Sequence, residues 1–265
     1  MNRPLITLTT DFGMADGTVG AMIGVIKSIC PVAEIFNLAS DIPAHNIVRG
    51  AWALLQAAPF FPSDAIHIAV VDPGVGSGRR GLLVNADRGT FIGPDNGVLS
   101  WAAARGGNPV YRALENPSYR LGPMGFTFDG RDLFAPAAAH LACGVSPEEF
   151  GPPIRDSVVL SWPEPRRSVG RIEGEIMVID HFGNLISNIS FDLVAEEFAN
   201  SPVEVTVAGR KVGGIRAGYL GISEDVGVVV NGTGLLEIAA PRGSASAMTG
   251  LNRGAPIFVT AGSKP

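Results

Sequence analysis

Cysteine is almost absent: Cys30 and Cys143 are the only two, and their spacing is not that of a metal site. This argues against a disulfide framework, a zinc site and a secreted protein, so a reducing cytoplasm is the expected compartment. A basic excess is missing as well. The formal net charge is -5, with acids and bases interspersed, which leaves no cationic stripe for nucleic acid or an anionic membrane. No apolar run approaches the length of a bilayer-spanning helix, and the opening "MNRPLITLTT" has neither a basic leader nor a long apolar one. His45, His67, His140 and His181 share no ligand spacing, so no metal is expected. What the chain does have is glycine, 34 residues, and proline, 20, scattered singly among apolar runs as turn residues are. At 265 residues it can bury a core that needs no staples.

The first half alternates strand-like and helix-like segments. "PLITLTT" is followed by apolar residues at helical spacing in "DGTVGAMIGVIKSIC"; "HNIVRGAWALLQAAPFF" repeats that pattern before the continuous apolar run "AIHIAVV". Strands are expected at "GLLVNA" and "GTFIG", and helices at "NGVLSWAAA" and "RDLFAPAAAHLACG", with Pro136 in a first turn or at a kink and Gly144 as the stop. This rhythm predicts an α/β domain over residues 1–155 with a mostly parallel sheet and flanking helices. The proline-rich stretch 156–169 is expected as a linker. From 170 to 265 the helical pattern all but vanishes into β-runs punctuated by glycine, predicting a smaller all-β domain.

Acids recur where strands end. In "VVDPGVGSGRRG" an apolar strand releases into Asp72, glycines and Arg79. A literal G-x-G-x-x-G is present there, but "LLVNAD" reads as a strand, and a dinucleotide fingerprint must open a helix. The alternative is a glycine-rich hairpin with exposed arginines. The position of Asp72 favours a site, since open α/β sheets bind ligands at the carboxyl ends of their strands, and an acid with an arginine can hold a water. In "TTDFG", Asp11 follows the first strand, where a carboxylate suits a ribose diol, while Asp16 serves equally as a helix N-cap. In "DHFGN", turn chemistry accounts for Asp180, Gly183 and Asn184, and stacking on Phe182 with amide recognition by Asn184 suits a heterocycle.

Taken in order, "TTDFG", "DPGVG" with its arginine, "GPDNGVLS", "TFDGRDLFAP", "DHFGNLISNI" and "NGTGLLEIA" resemble the S-adenosyl-L-methionine hydroxide adenosyltransferases over nearly the whole chain; the fluorinating and chlorinating enzymes are relatives of that family. The resemblance implies a barrel-like C-terminal domain. It also implies a homotrimer with sites between the N-terminal domain of one subunit and the C-terminal domain of the next. The implied reaction is attack of water or hydroxide on the ribose 5′-carbon, giving adenosine and L-methionine with no cofactor. Asp72 and Arg79 fall on two members of a catalytic Asp, Arg and His set, and Asp129 stands where the His belongs. By the same carry-over Asp11 meets the ribose diol, Asp16 and Asp180 the methionine end, and Phe182 and Asn184 the adenine; Thr127, Phe128 and Thr233 are further substrate contacts. Thr233 sits where the halogenating relatives have an arginine, and His45 where the fluorinating one has an aromatic.

The acid at position 129 adds negative charge next to Asp72, which Arg79 or Arg131 would have to neutralise. Three outcomes follow: hydrolysis with an altered pH profile, a nucleoside-binding protein without catalysis, or halide transfer. The last is disfavoured because Asp72, a tyrosine in the halogenating relatives, repels an anion.

Overall fold

The computed structural model describes residues 3–122, 127–199 and 201–262. Gly125 and Phe126, at the head of the "GFTFDGRDLFAP" stretch, lie outside the described residues. The chain divides into two compact units, Met1–Leu160 and Ser161–Pro265.

The first unit runs β1 (Leu5–Thr10), α1 (Thr18–Ile29), β2 (Glu34–Ala39), α2 (Ile47–Ala57), β3 (Ile66–Val70), β4 (Gly81–Asn85), β5 (Thr90–Pro94), α3 (Ser100–Gly106), β6 (Val110–Ala113) and α4 (Ala135–Ala142). Its sheet has the order β2-β1-β3-β5-β4-β6. β1 pairs in parallel with β2 and β3, and β3 with β5, while β4 is antiparallel to both its neighbours. The fully buried β3, Ile-His-Ile-Ala-Val, lies at the centre, as a strand covered on both faces must. α1 buries Val19, Met22 and Ile26, one helical stripe, and packs with α4 over one face; α2 and α3 pack together over the other. Pro136 takes the first turn of α4, and Gly144, at φ +93°, follows its end.

The stretch expected as a linker begins tied to this unit. Val158 N–H donates to Asp95 Oδ1 at 2.8 Å and Leu160 N–H to Ser100 Oγ at 3.1 Å; just ahead of the stretch, Ile154 N–H donates to Tyr111 O at 2.9 Å.

The second unit contains β7 (Arg166–Ser168), β8 (Arg171–Ile179), β9 (Leu185–Ser190), α5 (Phe191–Phe198), β10 (Val203–Val207), β11 (Arg210–Gly213), β12 (Ile215–Arg216), β13 (Gly227–Val230), β14 (Leu235–Ala239), α6 (Ala245–Thr249) and β15 (Pro256–Ala261). The order β11-β10-β15-β8-β9-β14-β13-β12, with β7 beside β8, curls until β10 and β11 lie against β12 and β13. The result is a nearly closed barrel around Ile172, Leu185, Val205, Leu236 and Ile257. α5 departs from the all-β expectation. Ser190 accepts from Leu193 N–H as its N-cap, and Val194 and Phe198, four apart, supply the buried stripe. Among the described residues no helix is long and apolar enough to cross a membrane.

Candidate active site

Because β1, β3 and β5 are parallel neighbours, with Thr10 opposite Val70, Asp11, Asp72 and Asp95 all leave the carboxyl edge of the first sheet. Past Asp72 the chain turns back tightly: Val75 N–H donates to Asp72 O at 3.2 Å and Ser77 N–H to Gly74 O at 3.1 Å. Gly76, at φ +78°, supplies the left-handed residue. β4 then starts at Gly81, where a Cβ would stand 2.7 Å from Leu133, so only glycine lets the strand approach this closely.

That approach delivers Arg79 to two acids. Its Nε donates to Asp72 Oδ1 at 3.1 Å, and its Nη2 to both Asp72 Oδ2 and, at 2.5 Å, Asp129 Oδ2. The side chains are 12% exposed for Arg79, 4% for Asp72 and 21% for Asp129, which rules out the exposed hairpin. Asp129 precedes the π-helical turn Gly130–Phe134, yet its carboxylate caps no N–H there; it is turned to Arg79 instead. Phe134, fully buried, places its ring 5.4 Å beneath the guanidinium. Arg131 is engaged elsewhere, paired with Asp132 at 2.7 and 2.9 Å and lying 5.0 Å over the Phe128 ring. Arg79 therefore supplies the positive charge between the two acids. A polar cavity of about 300 Å³, lined in part by Arg79, Asp129, Ser77 and Arg120, has room for several waters.

Asp11 accepts from the backbone N–H of His45 at 2.8 Å, and His45 holds a left-handed φ of +64°. Phe12, the next residue, meets Phe128 edge to face at 5.6 Å. Asp16 is exposed and does not cap α1: the N-cap is Gly17, without a side-chain bond. Thr127 is exposed as well. Sequence reading missed Asn96, whose Nδ2 donates to Val71 O at 2.8 Å and braces the backbone just before Asp72. It also missed the division of labour between adjacent arginines, since Arg80 binds Asp95 at 2.7 Å and Asp156 at 2.8 Å and clamps the segment around Asp156.

The remaining candidates lie in the second unit. Asp180 Oδ1 accepts from Phe182 N–H at 2.9 Å and Asn184 N–H at 2.8 Å, and its Oδ2 from Asn184 Nδ2 at 3.0 Å, so the acid builds the turn that presents both side chains. Gly183, at φ +83°, runs so close to Ser244 that a Cβ would overlap its hydroxyl. Phe182 and Asn184 line an apolar cavity of about 550 Å³ together with Tyr219, Pro241 and Arg242, a size in the range of small-molecule sites. Thr233 donates from N and Oγ1 to Asn231 Oδ1, at 2.9 and 2.7 Å, and its hydroxyl serves the turn between β13 and β14.

Both units match one family along most of their length: residues 6–151 match the SAM hydroxide adenosyltransferase N-terminal domain and residues 174–258 the C-terminal domain. The chain belongs to the SAM hydroxide adenosyltransferase family. The chain is 35% identical over 264 residues, 98% of its own length and 99% of the relative's, to (R)-S-adenosyl-L-methionine hydrolase of Salinispora arenicola. It is 37% identical to the enzyme of that name from Thermus thermophilus, over 96% of this chain and 98% of the relative. A fluorinase of Actinopolyspora mzabensis is 26% identical over 72% of this chain and 73% of the relative. In fold, the chain superposes on an uncharacterised conserved protein from Thermotoga maritima with a TM-score of 0.88 at 31% identity, over 97% of this chain and 99% of that one.

Proposed function

We propose that this chain hydrolyses (R)-S-adenosyl-L-methionine to adenosine and L-methionine, with release of a proton. Relatives carrying that activity in their names, at 35% and 37% identity over nearly full length, support the reaction class. The observation that carries it is the guanidinium of Arg79 bridging Asp72 and Asp129 at the carboxyl edge of the sheet.

The leaving group is a neutral thioether, so the site has no departing charge to protonate. Its task is to place a water oxygen behind the ribose 5′-carbon and to accept the water's proton as the C–O bond forms and the C–S bond breaks, the C–S electron pair going to sulfur. The two acids divide this work by geometry. Arg79 engages both oxygens of Asp72 but only Oδ2 of Asp129. Asp72 orients the arginine, and Asp129, with Oδ1 outside that ion pair, accepts the proton. Arg79 stabilises the developing hydroxide. The acid in place of the family's His thus preserves the base. Asp72 also disfavours halide transfer, because its carboxylate repels the anion that would have to be desolvated beside it.

In the proposed arrangement Asp11 accepts from the ribose hydroxyls, Asp16 and Asp180 meet the methionine end with Thr127, Phe128 and Thr233 around the sugar and chain, and Phe182 and Asn184 take the adenine. Chemistry-bearing residues on one unit and base-recognising residues on the other support sites assembled between subunits of a homotrimer. The test is incubation with each sulfonium epimer and chromatography of the products. Adenosine and methionine in equal amounts from the (R) form are expected; bound substrate with no products would replace hydrolysis by a binding function.

A further inference from the structure

The cavity of the second unit has two aromatic walls that water reaches: Phe182 is 73% exposed and Tyr219 50%. Tyr219 lies on a single 3-10 turn, Tyr219–Gly221, followed by the buried Ile222 and flanked by Leu220, which is fully exposed. Half of Tyr219 stays open to solvent. Its hydroxyl, however, donates to Glu237 Oε1 at 2.8 Å. Glu237 is 3% exposed and interrupts the apolar run of β14. Among the described residues no cation forms an ion pair with it, and Asp180 adds a second negative charge nearby. An acid buried in a barrel strand without a cation is costly, so its place needs a reason beyond the fold. Burial pushes the Glu237 carboxyl up, against the hydrogen bonds from Tyr219 and Asn231. Burial and Glu237 together push the tyrosine hydroxyl up to about 12, so it remains a donor throughout the neutral range.

We propose that Glu237 is a positioning residue for nucleobase recognition: its hydrogen bond to the Tyr219 hydroxyl fixes that ring as a wall of the cavity shared with Phe182 and Asn184. The inference rests on the reading that the ligand is an adenosine derivative. A ring already held in place loses less freedom when a flat heterocycle stacks on it, and the site is preorganised in that sense.

The experiment is calorimetric titration of adenosine into the full-length protein and its variants, with steady-state kinetics alongside. Tyr219→Phe and Glu237→Leu are each expected to weaken adenosine binding by about tenfold, the effect of one hydrogen bond, and to raise KM in step while kcat holds. Glu237→Gln, whose amide oxygen still accepts from the hydroxyl, is expected to bind as the parent does. Tyr219→Phe/Glu237→Leu should be no weaker than either single variant, because the two changes remove one interaction. Tyr219→Phe keeps the ring, and a melting curve confirms its fold. Parent-like binding by folded Tyr219→Phe, or losses that multiply in the double variant, overturns the proposal. A parent that binds adenosine tightly but turns nothing over defeats the hydrolysis reading and leaves this inference standing, whereas a parent that binds no adenosine removes both.

Discussion

Asp129, Arg131 and Asp132 crowd into one short stretch, and the structure sorts them by partner: Asp129 goes to Arg79, while Arg131 and Asp132 satisfy each other. Replacing Asp129 by Asn keeps the shape and removes the base, so kcat should fall by about 10²- to 10⁴-fold in a product assay. Asp129→His restores a base at that position, and activity should persist with a limb in its pH profile near 6.5, the ordinary imidazole value. Arg79→Lys retains the charge but cannot bridge Asp72 in a two-point fork while touching Asp129, so kcat should drop at nearly constant KM. The sequence makes Asp72 and Arg79 readable because an acid just past an apolar strand is unusual. It hides Glu237, a single acid in an apolar run, and Tyr219, which sits in "AGYLGIS" without periodicity.

Elements place these side chains, and one strand pair carries its own pH signature. His67 on β3 is 1% exposed, its Nδ1 2.8 Å from Thr7 Oγ1 on β1, its ring stacked on Phe91 at 5.2 Å. Burial lowers its pKa from 6.5 to about 4. A depressed folded value means that the neutral histidine contributes stability that is fully present above pH 6.5 and is lost as the pH falls through 4. The change amounts to about 3 kcal/mol over that window. Melting temperatures of the parent and His67→Gln, measured from pH 7 to pH 4, should converge as the pH drops; a constant gap would contradict the neutral, buried state. The alternating first half of the chain was legible because each amphipathic helix buries a regular stripe, as Val19, Met22 and Ile26 do in α1. α5 was missed because it is short, eight residues, and begins directly at the end of β9. The helix expected over "RDLFAPAAAHLACG" is present, and only its opening differs: Gly130–Phe134 is π-helical and runs straight into α4.

For the whole molecule, candidate residues divide between two compact units, Asp72, Arg79 and Asp129 in the first and Phe182, Asn184 and Tyr219 in the second. If sites form between subunits of a trimer, two inactive variants complement each other. Mixing Asp72→Asn with Asn184→Ala after dissociation should regenerate a fraction of parental activity, because some interfaces then pair two intact halves. No recovery in mixtures shown to have exchanged subunits would place each site within one chain. The two-part organisation was legible in composition, as helical periodicity gives way to glycine-punctuated β-runs. Composition does not show that the proline-rich stretch is tied to the first unit, where Val158 N–H and Leu160 N–H donate to the side chains of Asp95 and Ser100. Attack by water on carbon is the central claim of the proposed function, and heavy-oxygen water tests it directly. After turnover in that solvent, one heavy oxygen should appear in each adenosine and none in methionine, with Asp129→Asn forming little of either product. Adenosine without the label, or no adenosine at all, would contradict the account.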